Sequence, residues 1–216
     1  MSHSPTTCVV VDYGIGNLFS VVNSLKSLSF DPVVSGDPSV IENAERIILP
    51  GVGAFGRASQ KLASLNLDTA IKSFIQKERP FLGICVGMQL LMTTGHEFGL
   101  HPGLDVLPGN ATKINPEASS ESIRVPLIGW YPVQLRSPIC SNTSKLLPSD
   151  PSKHSFYFVH SYECITDDPM STTASVMHGN YSVSAVVNKG NVYGVQFHPE
   201  KSGPHGLSLL NNFMSL

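Results

Sequence analysis

Charge is scarce in this sequence: 14% of its 216 residues are Asp, Glu, Lys or Arg, against roughly 25% in an ordinary soluble domain. The formal balance is -2, so no broad basic field exists to condense on phosphate backbones or anionic lipid, and neither nucleic acid nor a membrane surface is expected as a partner. No apolar run approaches the roughly 20 residues that span a bilayer. Met1 to Thr7 is polar and lacks the basic-then-apolar order of a signal peptide, so a soluble cytoplasmic protein is the expectation. Cysteine is sparse too. Cys8, Cys85, Cys140 and Cys164 are too few and too scattered for a disulfide framework, and none forms a Cys-x-x-Cys pair that would suggest structural zinc. Neither a metal nor a cofactor is expected.

What is present is a globular composition, 41% hydrophobic, long enough for one domain over residues 1–216 with its core at about 8–214. The first half alternates short apolar runs with helical patterns. Cys8 to Val11, Pro32 to Val34, Arg46 to Leu49 (broken by Pro50-Gly51) and Phe81 to Ile84 read as strands. Leu18 to Leu28, Lys61 to Gln76 and Gly87 to Thr94 read as helices. This β-α-β-α order predicts a mostly parallel α/β sheet flanked by helices. Beyond Gly95 the pattern changes to short runs parted by Gly, Pro, Asn and Asp. Ile123 to Val125, Gly129 to Leu135, Ser155 to Tyr162, Ser182 to Val187 and Asn191 to Phe197 predict additional antiparallel strands, with a hairpin turn at Asn188-Lys189-Gly190-Asn191. Leu207 to Met214 predicts a closing helix, and Asn115 to Ser122 and Ser137 to Lys153 read as surface loops.

Three segments carry chemistry. Gly83-Ile84-Cys85-Val86-Gly87 stands where a strand meets a helix and has the small-x-nucleophile-x-small form of a nucleophile elbow. A thiol there is favoured as thiolate by the helix N-terminus, and the Val86 N–H faces an oxyanion. The competing reading is a buried structural cysteine. A nucleophilic thiol needs a base and an orienter, and Gln196-Phe197-His198-Pro199-Glu200 offers both. In extended backbone His198 and Glu200 share one side, so the carboxylate holds the imidazole in its working tautomer. Gly51-Val52-Gly53-Ala54-Phe55-Gly56 matches the dinucleotide fingerprint literally. It stands on a later βα unit with Pro50 in the strand end, so a glycine loop with backbone N–H groups turned toward a substrate competes with it, as does a plain tight turn.

Taken together, Gly83 to Gln89 and Val195 to Ser202 resemble the triad-type, class I glutamine amidotransferases. Val11 to Leu18, Pro50 to Phe55, Tyr157 to Tyr162 and Gly206-Leu207 narrow the resemblance to the glutaminase subunits of imidazole glycerol phosphate synthases, over about Val9 to Phe213. The resemblance implies a flavodoxin-like sheet and a Cys85–His198–Glu200 triad that hydrolyses glutamine to glutamate and ammonia. It places the oxyanion on the N–H groups of Val52 and Val86, with Gly51 and Gly53 permitting the backbone there to rearrange. Gly53, Gln89, Glu97, His160, Ser161 and Tyr162 fall at glutamine-holding positions. Without it, Gln89 and Glu97 are ordinary helix-surface polar residues. The implied partner is a (β/α)8-barrel cyclase of histidine biosynthesis that receives the ammonia, with Asn17, Trp130, Tyr157 and Lys201 facing it or the ammonia entrance.

Relatives commonly read Val-Pro-His-x-Gly-Trp-Asn where this chain has Val125-Pro126-Leu127-Ile128-Gly129-Trp130-Tyr131. Leu127 and Tyr131 therefore depart from the usual interface chemistry, and a paralogue feeding a different barrel synthase, such as one modifying surface-polysaccharide sugars, is the alternative. Two further readings are a dinucleotide-dependent oxidoreductase resting on Gly51 to Gly56 and an idle adaptor for a barrel subunit. The intact Cys85, His198 and Glu200 argue against the adaptor.

Overall fold

The computed structural model describes residues 8–136, 143–148 and 150–216. The polar tail Met1 to Thr7, Cys140 and part of the Ser137 to Lys153 loop lie outside them. The strands are β1 (Cys8–Val11), β2 (Val33–Ser35), β3 (Arg46–Gly51), β4 (Phe81–Cys85), β5 (Met92–Gly95), β6 (His101–Pro102), β7 (Leu107–Lys113), β8 (Leu127–Pro132), β9 (Gln134–Leu135), β10 (Ser155–His160), β11 (Tyr162–Thr166), β12 (Thr172–His178), β13 (Tyr181–Lys189) and β14 (Val192–Val195). The helices are α1 (Leu18–Ser27), α2 (Pro38–Asn43), α3 (Phe55–Ser64), α4 (Leu67–Gln76), α5 (Val86–Gln89), α6 (Thr143–Leu146) and α7 (Gly203–Met214).

The main sheet runs β2-β1-β3-β4-β14-β13-β12-β9. Its first five strands are parallel and the last three pairings antiparallel. The parallel half thus has flavodoxin-like order, in which ligands bind beyond the carboxyl ends of the strands. β1, β3, β4 and β14 are buried along their whole length, which explains their unbroken apolar sequences: helices cover both faces of a parallel sheet. A four-stranded sheet, β11-β7-β5-β6, and a two-stranded one, β10-β8, pack beside it. β10 alternates, with Phe156, Phe158 and His160 inward and Tyr157 on the other face.

The structure corrects several sequence-based boundaries. β3 runs on through Pro50 and Gly51, which pair with Ile84 and Cys85. Lys61 to Gln76 is not one helix: Asn66 sits in the left-handed region (φ 55°) and separates α3 from α4, a conformation Asn tolerates. The Gly87 to Thr94 stretch forms only one helical turn and then strand β5, because a short apolar run does not by itself distinguish helix from strand. Ile123 to Val125 is irregular, and the Ser155 to Tyr162 run is two strands divided at Ser161. β5, β6, β7, β12 and most of β11 were not expected at all. The Ser137 to Lys153 loop contains α6, whose Leu146 is buried and whose backbone accepts from Asn212 of α7. The expected hairpin turn is present, with Lys189 opposite Val192 and Gly190 at φ 58°.

Candidate active site

Cys85 is the last residue of β4 and immediately precedes α5, with φ 54° and ψ -110°. A non-glycine residue there carries strain held in place by its surroundings. Both flanking glycines are required by close approach. A Cβ on Gly83 would lie 2.5 Å from the Gly87 carbonyl oxygen, and one on Gly87 would overlap the Leu49 carbonyl. The elbow read from the sequence is therefore a sterically enforced feature.

His198 follows β14, so the sheet order places it beside Cys85 across the adjacent β4 and β14. Its Nδ1–H donates to Glu200 Oε1 at 2.8 Å, and both side chains are almost wholly buried. The contact arises differently from the expectation: Pro199–Lys201 is a 3-10 turn capped by His198, not extended strand. Burial disfavours the charged ring, yet hydrogen bonds to Cys85 and Glu200 and their negative charge outweigh it. The His198 pKa is raised from 6.5 to about 9.

Two buried residues that sequence reasoning missed hold these groups. Ser202 Oγ donates to the His198 carbonyl at 2.6 Å and accepts from Tyr157 N–H at 2.9 Å, while His198 N–H donates to the Tyr157 carbonyl at 2.9 Å. Gln196 donates from Nε2 to Cys85 Sγ at 3.7 Å and accepts from Gln89 Nε2 at 3.2 Å. A glutamine inside the apolar run Val195 to Phe197, and a serine at the entry to α7, were the available signals.

Val52, Gly53, Cys85, Val86, Gln89, Glu97, His160, Ser161, Tyr162, His198 and Lys201 all line one cavity of about 500 Å³. Glu200 stands behind His198. A larger cavity of about 730 Å³, lined by Lys72, Arg79 and Lys189 among others, lies where β4 and β14 begin, and its lining includes no cysteine, serine or histidine. Gln89 is not a helix-surface residue: it is buried, and also reaches the Tyr162 carbonyl at 3.3 Å. Glu97 lies in the turn after β5, where its Oε2 accepts from Phe55 N–H at 2.7 Å. A carboxylate thus occupies the N-terminus of α3, where the dinucleotide reading would need a pyrophosphate. That reading fails.

His160 Nδ1–H donates to the Tyr162 carbonyl at 2.8 Å, and its Nε2 has no partner among the described residues. Burial first, then the neighbouring His198 charge, outweigh that bond and lower its pKa to about 4, so it is a neutral acceptor at ordinary pH. Burial and the Glu97 charge raise the Tyr162 pKa. The two glycines beside Val52 differ. A Cβ on Gly51 would lie within 2.9 Å of Gly87, Val86 and Tyr13 atoms, so Gly51 is packed in place, whereas Gly53 has φ 85° and open space around it.

Trp130 on β8 pairs with Tyr157 on β10, their rings edge-on at 5.8 Å, and Lys201 Nζ lies 5.8 Å from the Tyr157 ring centre. Trp130 is 55% exposed. Asn17 precedes α1 without its side chain capping the helix. Of the two departures, Leu127 is fully buried opposite His160 and is no surface residue, while Tyr131 packs edge-on against Phe158 and His178. Among the described residues no cluster of side chains has metal-binding geometry, and no helix is long and apolar enough to cross a membrane.

The family description "Glutamine amidotransferase class-I" matches residues 9–216. The chain is 42% identical to the imidazole glycerol phosphate synthase subunit HisH of Geobacillus sp. (strain WCH70), over 96% of this chain and 95% of that one. It is 39% identical to the HisH subunit of Chlorobaculum tepidum, over 94% and 97%. Among solved structures, PurLQS from Thermotoga maritima superposes with a TM-score of 0.69 at 18% identity, covering 98% of this chain and 99% of that one. A glutamine amidotransferase from the same organism gives 0.60 at 20%, covering 92% and 77%; these two show the fold alone. With the elbow cysteine beside a histidine–glutamate pair, the chain belongs to the class I glutamine amidotransferases, in the company of the HisH glutaminase subunits.

Proposed function

We propose that this enzyme acts as a single glutamine amidotransferase domain whose Cys85, His198 and Glu200 hydrolyse glutamine. The observation that carries the reading is the strained, glycine-flanked Cys85 within hydrogen-bonding range of a His198 already held by Glu200. Cys85 Sγ, its proton passed to His198, adds to the carboxamide carbon. The tetrahedral oxyanion is held by the N–H groups of Val86 and Val52. His198 then protonates the departing nitrogen, the C–N bond breaks, and ammonia leaves behind a glutamyl thioester. Water, deprotonated by His198, attacks the thioester; glutamate departs and the thiol is restored. Glu200 keeps the imidazole in register throughout. Glu97 and the His160–Tyr162 segment hold the amino-acid end of glutamine, with the Gln89–Gln196 pair beneath the thiol.

The ammonia passes to a (β/α)8-barrel cyclase of histidine biosynthesis, docked where Trp130, Tyr157, Lys201 and Asn17 lie. The relatives named above support this pathway, and none supports the polysaccharide alternative. Burial of Leu127 also removes one of the two departures that motivated it. The test is glutamate release by the chain alone, with the cyclase chain of the same genome, and with that cyclase carrying its ribonucleotide. Strong stimulation in the third mixture, abolished by Cys85→Ala, is expected. Turnover retained in Cys85→Ala refutes the mechanism, and no stimulation refutes the pathway.

A further inference from the structure

Tyr13 lies in the bend that follows β1 at the carboxyl edge of the sheet, and it is fully buried. Its hydroxyl donates to the Pro50 carbonyl oxygen at 3.0 Å. A phenylalanine would fill the same volume, and a buried hydroxyl is costly unless partnered, so the choice of tyrosine has consequences at Pro50. The Gly51 that follows is clamped. It pairs with Cys85 in the sheet, and a Cβ built on it would stand 2.9 Å from the Tyr13 hydroxyl and 2.8 Å from Gly87 N and Val86 Cβ. Gly53 differs, with φ 85° and nothing within 4 Å of where its Cβ would stand. Val52, the cavity residue between them, is thus packed on the Gly51 side and open on the Gly53 side.

We propose that Tyr13 is a positioning residue for glutamine hydrolysis: its hydroxyl fixes the Pro50–Gly51 peptide, so that the Val52 N–H is aimed at the oxyanion site. The inference rests on the glutaminase reading and deepens it. Tyr13→Phe keeps the ring but removes the donor, and the Val52 amide loses its fixed aim. Glutamine binding depends on other groups, so the loss falls on the transition state. Loss of a whole oxyanion donor costs on the order of 10²–10³ in kcat. A misaimed one is expected to cost at least about tenfold, with KM within about twofold.

The experiment compares wild type, Tyr13→Phe and Tyr13→p-aminophenylalanine, which restores a donor, each in complex with the ribonucleotide-loaded cyclase. Glutamate release is divided by the amount of soluble complex, and Cys85 alkylation by iodoacetamide is followed on its own peptide by mass spectrometry, since the chain also carries Cys8, Cys140 and Cys164. Alkylation is a direct displacement with no oxyanion, so its rate reports Cys85 and His198 but not Val52. The expected result for Tyr13→Phe is kcat down at least tenfold, KM and alkylation rate unchanged, and recovery in the aminophenylalanine variant. The proposal is overturned by a kcat within twofold of wild type, by kcat and alkylation falling together, or by no recovery. Should Tyr13→Phe give no soluble complex, the aminophenylalanine variant decides alone: near-wild-type kcat supports the proposal and a tenfold loss overturns it. A wild type that alkylates but releases no glutamate fails the glutaminase reading instead, and the inference with it.

Discussion

Replacing Glu200 with Gln takes one negative charge out of a buried site while keeping its shape. In the wild type, Glu200 Oε1 accepts from His198 Nδ1–H at 2.8 Å with both groups out of solvent. The rise of the His198 pKa from 6.5 to about 9 corresponds to about 3 kcal/mol of folded-state preference for the imidazolium, at roughly 1.4 kcal/mol per tenfold change in proton affinity. Cys85 and Glu200 supply it jointly against burial, so removing the Glu200 charge takes away part of it. A raised folded pKa gives stability that is fully present below pH 6.5, the unfolded value, and is lost as pH climbs through about 9. The assay is urea unfolding between pH 5.5 and 9.5, with Cys85 present in both proteins. The wild type should exceed Glu200→Gln most below pH 6.5, and the gap should shrink as pH rises toward 9, by no more than about 3 kcal/mol. For glutamine, kcat should fall on the order of 10⁴-fold, the loss that follows when the carboxylate orienting a catalytic histidine is made neutral. Parallel stability profiles would refute the assignment of the raised pKa to the Glu200 charge.

Gly87→Ala should cost at least about 3 kcal/mol in urea unfolding, because its Cβ would overlap the Leu49 carbonyl in a close-packed interior. Ser202→Ala orphans the Tyr157 N–H and one bond to the His198 carbonyl; a loss of about 1–3 kcal/mol should come with slower Cys85 alkylation as the His198 backbone loosens. His160, by NMR titration, should change charge near pH 4, leaving it silent in any activity profile between pH 6 and 9. Trp130→Ala, at a 55% exposed position, should weaken cyclase binding at least tenfold in a titration while leaving the unfolding midpoint unchanged.

How far each feature was legible follows from how local its cause is. The Cys85 elbow was readable because Gly83 and Gly87 are two residues away and their absence of Cβ is the requirement itself. His198 and Glu200 were readable as a pair, though the 3-10 turn that joins them was not, since Pro199 suits that turn as well as an extended chain. The helix Gly87 to Thr94 failed as an expectation because Met92 to Gly95 gains its ladder from β7, a partner whose register no local pattern announces. Gln89 looked like a surface residue for the same reason: its burial comes from Gln196 and Tyr162, far along the chain.

By itself, the sequence determined the parallel core, through unbroken apolar runs that survive only where both faces are covered, and it determined the chemical types at the site through two short motifs. Tertiary structure decided everything that depends on distant strands meeting. Only the adjacency of β4 and β14 brings Cys85 to His198, and only the bonds from Tyr157 of β10 to His198 and Ser202 bring that strand, with His160, to the site. Tyr13 found its carbonyl at Pro50, 37 residues on, by the pairing of β1 with β3. Short-range preferences are set by neighbouring residues, whereas these contacts exist only once burial of the whole sheet has fixed the strand order.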